Sequence, residues 1–115
     1  MTDPESLFHV SAELSGVGTG ALRDTAMLAG LLIAAAGAGG LQAVGAPIVR
    51  HSPSGGISAL LPVDPCHLSI HSFPDRRLAL VDVIARENAG AVKALDVFVR
   101  RLAPTEVASE TRKRG

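Results

Sequence analysis

A two-layer α+β fold is predicted for this chain, with an antiparallel sheet carrying two helices on one face. Three observations predict it. Residues 57–63, 66–73 and 78–85 alternate apolar and polar side chains or form compact apolar runs, the pattern of half-buried strands. Residues 89–102 repeat apolar side chains at helical spacing. Residues 25–49 carry no charge and open on a block, AMLAGLLIAAAGAGG, that suits a helix running into a strand.

In chain order, residues 6–13 alternate moderately and predict a first strand, on which His9 reads as a surface histidine or one satisfied in the core. SGVGTG at 15–20 is a turn, since it lacks both the spacing of a dinucleotide fingerprint and the closing lysine of a phosphate loop. Thr19 or Asp24 can cap the first helix, placed at about 21–36; its nearly all-round apolar surface predicts deep burial. Gly37, Gly39 and Gly40 end it. A second strand is expected over 41–50 and a turn over 52–56. The third strand, 57–63, puts Ile57, Ala59, Leu61 and Val63 on one face. Pro62, Asp64 and Pro65 are expected to break it, because proline cannot donate to a ladder.

From Cys66 the alternation resumes, with Cys66, Leu68 and Ile70 opposite His67, Ser69, His71 and Phe73. Residues 74–77 turn the chain into LALVDVIA, 78–85, the clearest strand. In the second helix, 89–102, Ala91, Val92, Leu95, Phe98, Val99 and Leu102 share a face, and Pro104 stops it. One domain spanning 1–115 is expected, with a tail from about 105 that can add an edge strand before it frays. Arg112, Lys113 and Arg114 read as a solvated terminus.

Eleven basic and eleven acidic residues cancel, so no net field would attract nucleic acid or an anionic membrane. The uncharged block of about fifteen apolar residues is shorter than the roughly 20 a membrane span needs. A lone cysteine cannot make an internal disulfide, and the acidic opening MTDPESLF has no signal-peptide pattern. A cytoplasmic home is the expectation. Ala and Gly supply much of the 47% hydrophobic content, and there are only three aromatics. So thin a core favours association, at least into a dimer.

Chemistry concentrates between Gly56 and Asp75, which hold Cys66, His67, His71, Ser58, Ser69 and Ser72. Four residues apart on a strand, His67 and His71 are separated by about 13 Å, too far to chelate one ion, so no metal is expected. Spacing alone defines no catalytic triad.

The run P-C-H-L-S-I-H-S-F-P-D, Pro65 to Asp75, resembles the motif E-S-H-[IL]-[ST]-I-H-T-W-P-E of the prokaryotic S-adenosylmethionine decarboxylases, small pyruvoyl enzymes of spermidine synthesis. Upstream, Gly56, Ile57, Ser58 and Ala59 match the family's G-[VI]-[ST]-[GA]. Downstream, Ala79 to Ile84 echo A-[AL]-[IV]-D-[VL]-F. The likeness runs from about His9 to Leu102, with its specific part at 56–84.

The resemblance implies that residue 66 attacks the carbonyl of Pro65, that the chain is cut there, and that residue 66 becomes a pyruvoyl group acting as an electron sink for loss of carbon dioxide. It implies that Ser58 and His71 assist the cut; Arg86, Asp75 and Phe73 are the residues expected to meet a small-molecule substrate. It also implies a homodimer with active sites built between protomers. Three departures stand out: Cys66 replaces serine, Pro65 replaces glutamate, and Arg86 stands where the family places a proton-donor cysteine. A thiol can still make the acyl shift. Arginine stays protonated and cannot donate in that role, but it can hold a carboxylate. Two functions therefore fit: a divergent decarboxylase of S-adenosylmethionine or another amino acid, or an uncut homologue that binds a ligand or pairs with an active decarboxylase.

Overall fold

The computed structural model describes residues 6–115. The elements are β1 (Leu7–Ser15), α1 (Thr19–Leu22), α2 (Thr25–Ala38), β2 (Gln42–Ala43), β3 (Ile48–His51), β4 (Ile57–Asp64), β5 (His67–Phe73), β6 (Leu78–Ala85), α3 (Asn88–Leu102) and β7 (Glu106–Arg114), with one 3-10 turn at Pro74–Arg76. The sheet runs β2-β4-β5-β6-β1-β7, and β3 also pairs with β4. Every pairing is antiparallel. Helices α2 and α3 cover one face, as the sequence predicts.

Strand periodicity decides what lies beneath them. Val10, Ala12 and Leu14 of β1, Ile57, Ala59, Leu61 and Val63 of β4, Leu68 and Ile70 of β5, and Ala79, Val81, Val83 and Ala85 of β6 are buried against the helices. Alternate positions, including His9, Ser11, Ser58, His67, His71 and Asp82, lie on the opposite face, which no helix among the described residues covers. Where α2 ends against the start of α3, a Cβ on Gly39 would lie 2.6 Å from the Gly90 carbonyl oxygen, and a Cβ on Gly90 would crowd Gly39 in the same way. Glycine at both positions permits that approach.

Phe98 is the one aromatic that is fully buried, with 0% exposure. In a core of Ala, Val and Leu its volume has no substitute. Replacing it with alanine is expected to cost about 3–5 kcal/mol, read as a lower urea midpoint at unchanged slope; a loss below about 1 kcal/mol would show that the core closes around the gap.

Five expectations are corrected. The first helix is two helices, because the Asp24 carboxylate accepts a hydrogen bond from the Met27 N–H at 3.0 Å and starts α2 afresh. Nor is α2 buried all round: Leu28, Leu31, Leu32, Ala35 and Ala36 face the core, while Ile33 is 54% exposed, since the sheet lies on one side only. The stretch 41–50 splits into β2 and β3 around Gly45 and Pro47, proline removing a ladder donor.

Strand β4 continues through Pro62, which pairs with His67. The Pro62 carbonyl accepts from the Val44 N–H at 3.0 Å. Its nitrogen therefore points to that same outer side, where the missing proton costs the β4–β5 ladder nothing. Finally, the tail does not fray at 105: Glu106–Arg114 pairs along the whole of β1, from Ser15 opposite Glu106 to Leu7 opposite Arg114. Its only apolar residues, Val107 and Ala108, are adjacent and so point to opposite faces, which leaves no apolar face to read in the sequence, and every one of its residues is exposed.

Candidate functional site

The reactive residues fall into two groups at opposite ends of the β4–β5 hairpin. At the open end, Ser58 and His71 are register partners. The hydroxyl Oγ and the imidazole Nδ1 lie 2.9 Å apart, a hydrogen bond whose direction follows the tautomer. Phe73, 38% exposed, and Asp75 lie just beyond, and with Gly56, Ser58 and His71 they line a cavity of about 290 Å³. Asp75 reaches Arg23 at 3.7 Å, an exposed pair that is screened by solvent and holds little in place.

Local packing fixes this end. The Ser72 side chain is buried, 3% exposed; its hydroxyl donates to the Leu22 carbonyl at 2.7 Å and accepts from the Ile57 N–H at 2.9 Å. It thereby ties the end of α1 to the start of β4. Beside it, Gly56 lies so close to β5 that a Cβ would come within 2.3 Å of the Ser72 carbonyl oxygen. The glycine that begins the sequence motif is thus a packing requirement, placing Ser58 two residues on, directly across from His71.

At the closed end the chain bends through Pro65 and Cys66, and the Val63 N–H donates to the Cys66 carbonyl at 3.1 Å. Cys66 is half-buried, with Sγ 3.6 Å from Nδ1 of His67. Arg86, just past the end of β6, donates to the Asp64 carboxylate at 3.2 Å. Asp64, Pro65, Arg86, Glu87, Gly39 and Gln42 line a second cavity of about 370 Å³.

The site residues expected from the sequence are therefore divided within one chain. Pro65, Cys66 and Arg86 meet at the hairpin turn; Ser58, His71, Phe73 and Asp75 meet at the other end. Between His67 and His71 the strand advances about 13 Å, so Cys66 does not reach the Ser58–His71 pair of its own chain. Sequence reasoning gave no role to His67 beside the thiol, and none to the pair formed by His9 Nε2 and Asp82 Oδ1 at 2.6 Å on the face opposite the helices. The order P-C-H contained the first; the second joins residues 73 apart, with no local signal. The buried Ser72 tie was equally silent.

The profile of the S-adenosylmethionine decarboxylase family matches residues 8–115. This chain belongs to that family. Among relatives named S-adenosylmethionine decarboxylase proenzyme, that of Hydrogenobaculum sp. (strain Y04AAS1) is 29% identical over 108 residues, covering 93% of this chain and 80% of its own length. That of Pyrobaculum aerophilum is 30% identical over 100 residues, covering 86% and 80% respectively. The crystal structure of the adenosylmethionine decarboxylase from Aquifex aeolicus VF5 superposes with a TM-score of 0.87 at 24% identity, covering 95% of this chain and 90% of that one. The S-adenosylmethionine decarboxylase fold accounts for the two layers and the antiparallel order. Among the described residues of this family member, no helix is long and apolar enough to cross a membrane.

Proposed function

We propose that this chain is a self-processing, pyruvoyl-dependent decarboxylase of S-adenosylmethionine or a related amino acid, with each active site assembled from two copies. The observation that carries this reading is the division of the site. Cys66 and Arg86 stand at one end of the hairpin and Ser58, His71, Phe73 and Asp75 at the other, on a sheet whose second face is covered by no helix among the described residues. Two copies related by a two-fold axis, packed through that face, would set the turn of one hairpin against the open end of the other. The thin, Ala-rich core supports such pairing.

Cys66 fits the origin of a pyruvoyl group. Attack of its sulfur on the Pro65 carbonyl carbon makes a C–S bond and breaks the Pro65–Cys66 C–N bond, giving a thioester. Removal of the Cys66 Cα proton then breaks the Cβ–S bond: sulfur leaves on Pro65 as a thiocarboxylate, and dehydroalanine at position 66 hydrolyses to a ketone with loss of ammonia. That ketone would supply an electron sink for decarboxylation. Arg86 would hold a substrate carboxylate once released from Asp64, and Phe73 and Asp75 of the second copy would bound the same cleft.

The same turn also favours a second reading, an uncut ligand-binding or partner homologue. Pro65 stands where the family has glutamate, and the Arg86 guanidinium is engaged by Asp64.

Intact-mass analysis of the denatured protein separates the two. The decarboxylase reading expects pieces of 65 and 50 residues, the second blocked at its N-terminus. The first should be about 16 Da heavier than a plain carboxylate, sulfur having replaced oxygen. An unblocked second piece beginning at Cys66 would mean that the thioester is merely hydrolysed, with no pyruvoyl group. Persistence of the full-length chain after long incubation supports the second reading. For a processed protein, carbon dioxide release from S-adenosylmethionine, ornithine and arginine distinguishes the substrates.

A further inference from the structure

We propose that His67 is the base that takes the proton of the Cys66 thiol, so that the hairpin turn carries its own nucleophile and base. Neighbouring residues on a regular strand point to opposite faces. Here the bend at Pro65 and Cys66 breaks that alternation just before β5 begins at His67, and Sγ comes within 3.6 Å of Nδ1. The other nearby base is engaged, since the Asp64 carboxylate accepts from Arg86 at 3.2 Å. His71 of the same chain is bonded to Ser58 and lies about 13 Å along the strand from His67.

The step balances without a co-reactant. Nδ1 of His67 takes the thiol proton, and the thiolate adds to the Pro65 carbonyl carbon, whose electron pair moves to oxygen. Collapse of that adduct expels the Cys66 nitrogen, which takes the proton back from His67. One C–S bond forms, one C–N bond breaks, and a proton passes from sulfur to nitrogen. As a role in cleavage this rests on the processing reading above, but the thiol–imidazole contact can be tested without it.

Cys66 is the only thiol, so alkylation of the freshly prepared full-length chain by iodoacetamide at neutral pH reads a single site by mass. His67→Gln is expected to slow alkylation about tenfold and cutting about a hundredfold. His51→Gln, on the exposed strand β3, should leave alkylation at the wild-type rate. For His67→Ala, added imidazole should restore much of both rates, an effect that a structural role for His67 would not produce. Equal alkylation rates in wild type and His67→Gln would overturn the proposal, as would wild-type cutting in that variant. If alkylation slows but no variant or wild-type chain is ever cut, the thiol–imidazole pair stands and the processing reading fails. Should His67→Gln fold poorly by thermal melt, imidazole rescue of His67→Ala decides; its absence at any concentration counts against the proposal.

Discussion

Neither Cys66→Ala nor His71→Ala is expected to be cut when made alone, yet the two co-expressed should recover about a quarter of wild-type cutting. The first supplies the Ser58–His71 pair without a nucleophile; the second supplies the nucleophile without the pair. If chains mix freely, about half of the dimers contain one of each, and each of these has one complete site of two. The readout is the fraction of all chains, of both variants together, that is converted to two pieces, measured by mass. Because Cys66 lies about 13 Å or more from His71 of its own chain, complementation is the natural consequence of a shared site. No cutting in a mixture shown to form mixed dimers would sink the two-copy arrangement. Cutting by His71→Ala alone would remove His71 from the step.

A single methyl group at Gly56 should have a comparably large effect on the fold. Its Cβ would sit 2.3 Å from the Ser72 carbonyl oxygen, a backbone atom that cannot swing aside as the tip of a side chain could. Relief requires β4 and β5 to part where Ser72 bridges the Ile57 N–H and the Leu22 carbonyl. Gly56→Ala is therefore expected to cost about 3 kcal/mol, lowering the melting temperature by about 10 °C. It should also disturb the Ser58–His71 contact two residues away, visible as a changed His71 signal in NMR spectra of the folded fraction. A melting temperature within a degree or two of wild type would show that the strand ends separate freely.

Much of the architecture was legible in the chain. The strands at 57–63 and 78–85 and the helix at 89–102 are found within a residue or so of their expected limits, because burial on one face imposes a period that survives in a single sequence. The errors came where a side chain or a neighbour overruled local preference. The Asp24 cap divided the first helix, Gly45 and Pro47 divided the second strand, and β1 recruited a tail whose mostly charged and polar residues offered no apolar face. Pro62 was misjudged because its donor-free nitrogen happens to face the outer side of β4.

By itself the sequence determined the fold class, the concentration of chemistry between Gly56 and Asp75, the resemblance to the S-adenosylmethionine decarboxylases, and the three substitutions at positions 65, 66 and 86. All of these are properties of residue identity, order and period. Tertiary structure decided which of those residues meet. Antiparallel register set Ser58 against His71 and carried both away from Cys66, while the hairpin bend brought Asp64 to Arg86 and Cys66 to His67. Order along a chain fixes neighbours only over a few residues; distances between strands follow from register and from where the backbone bends.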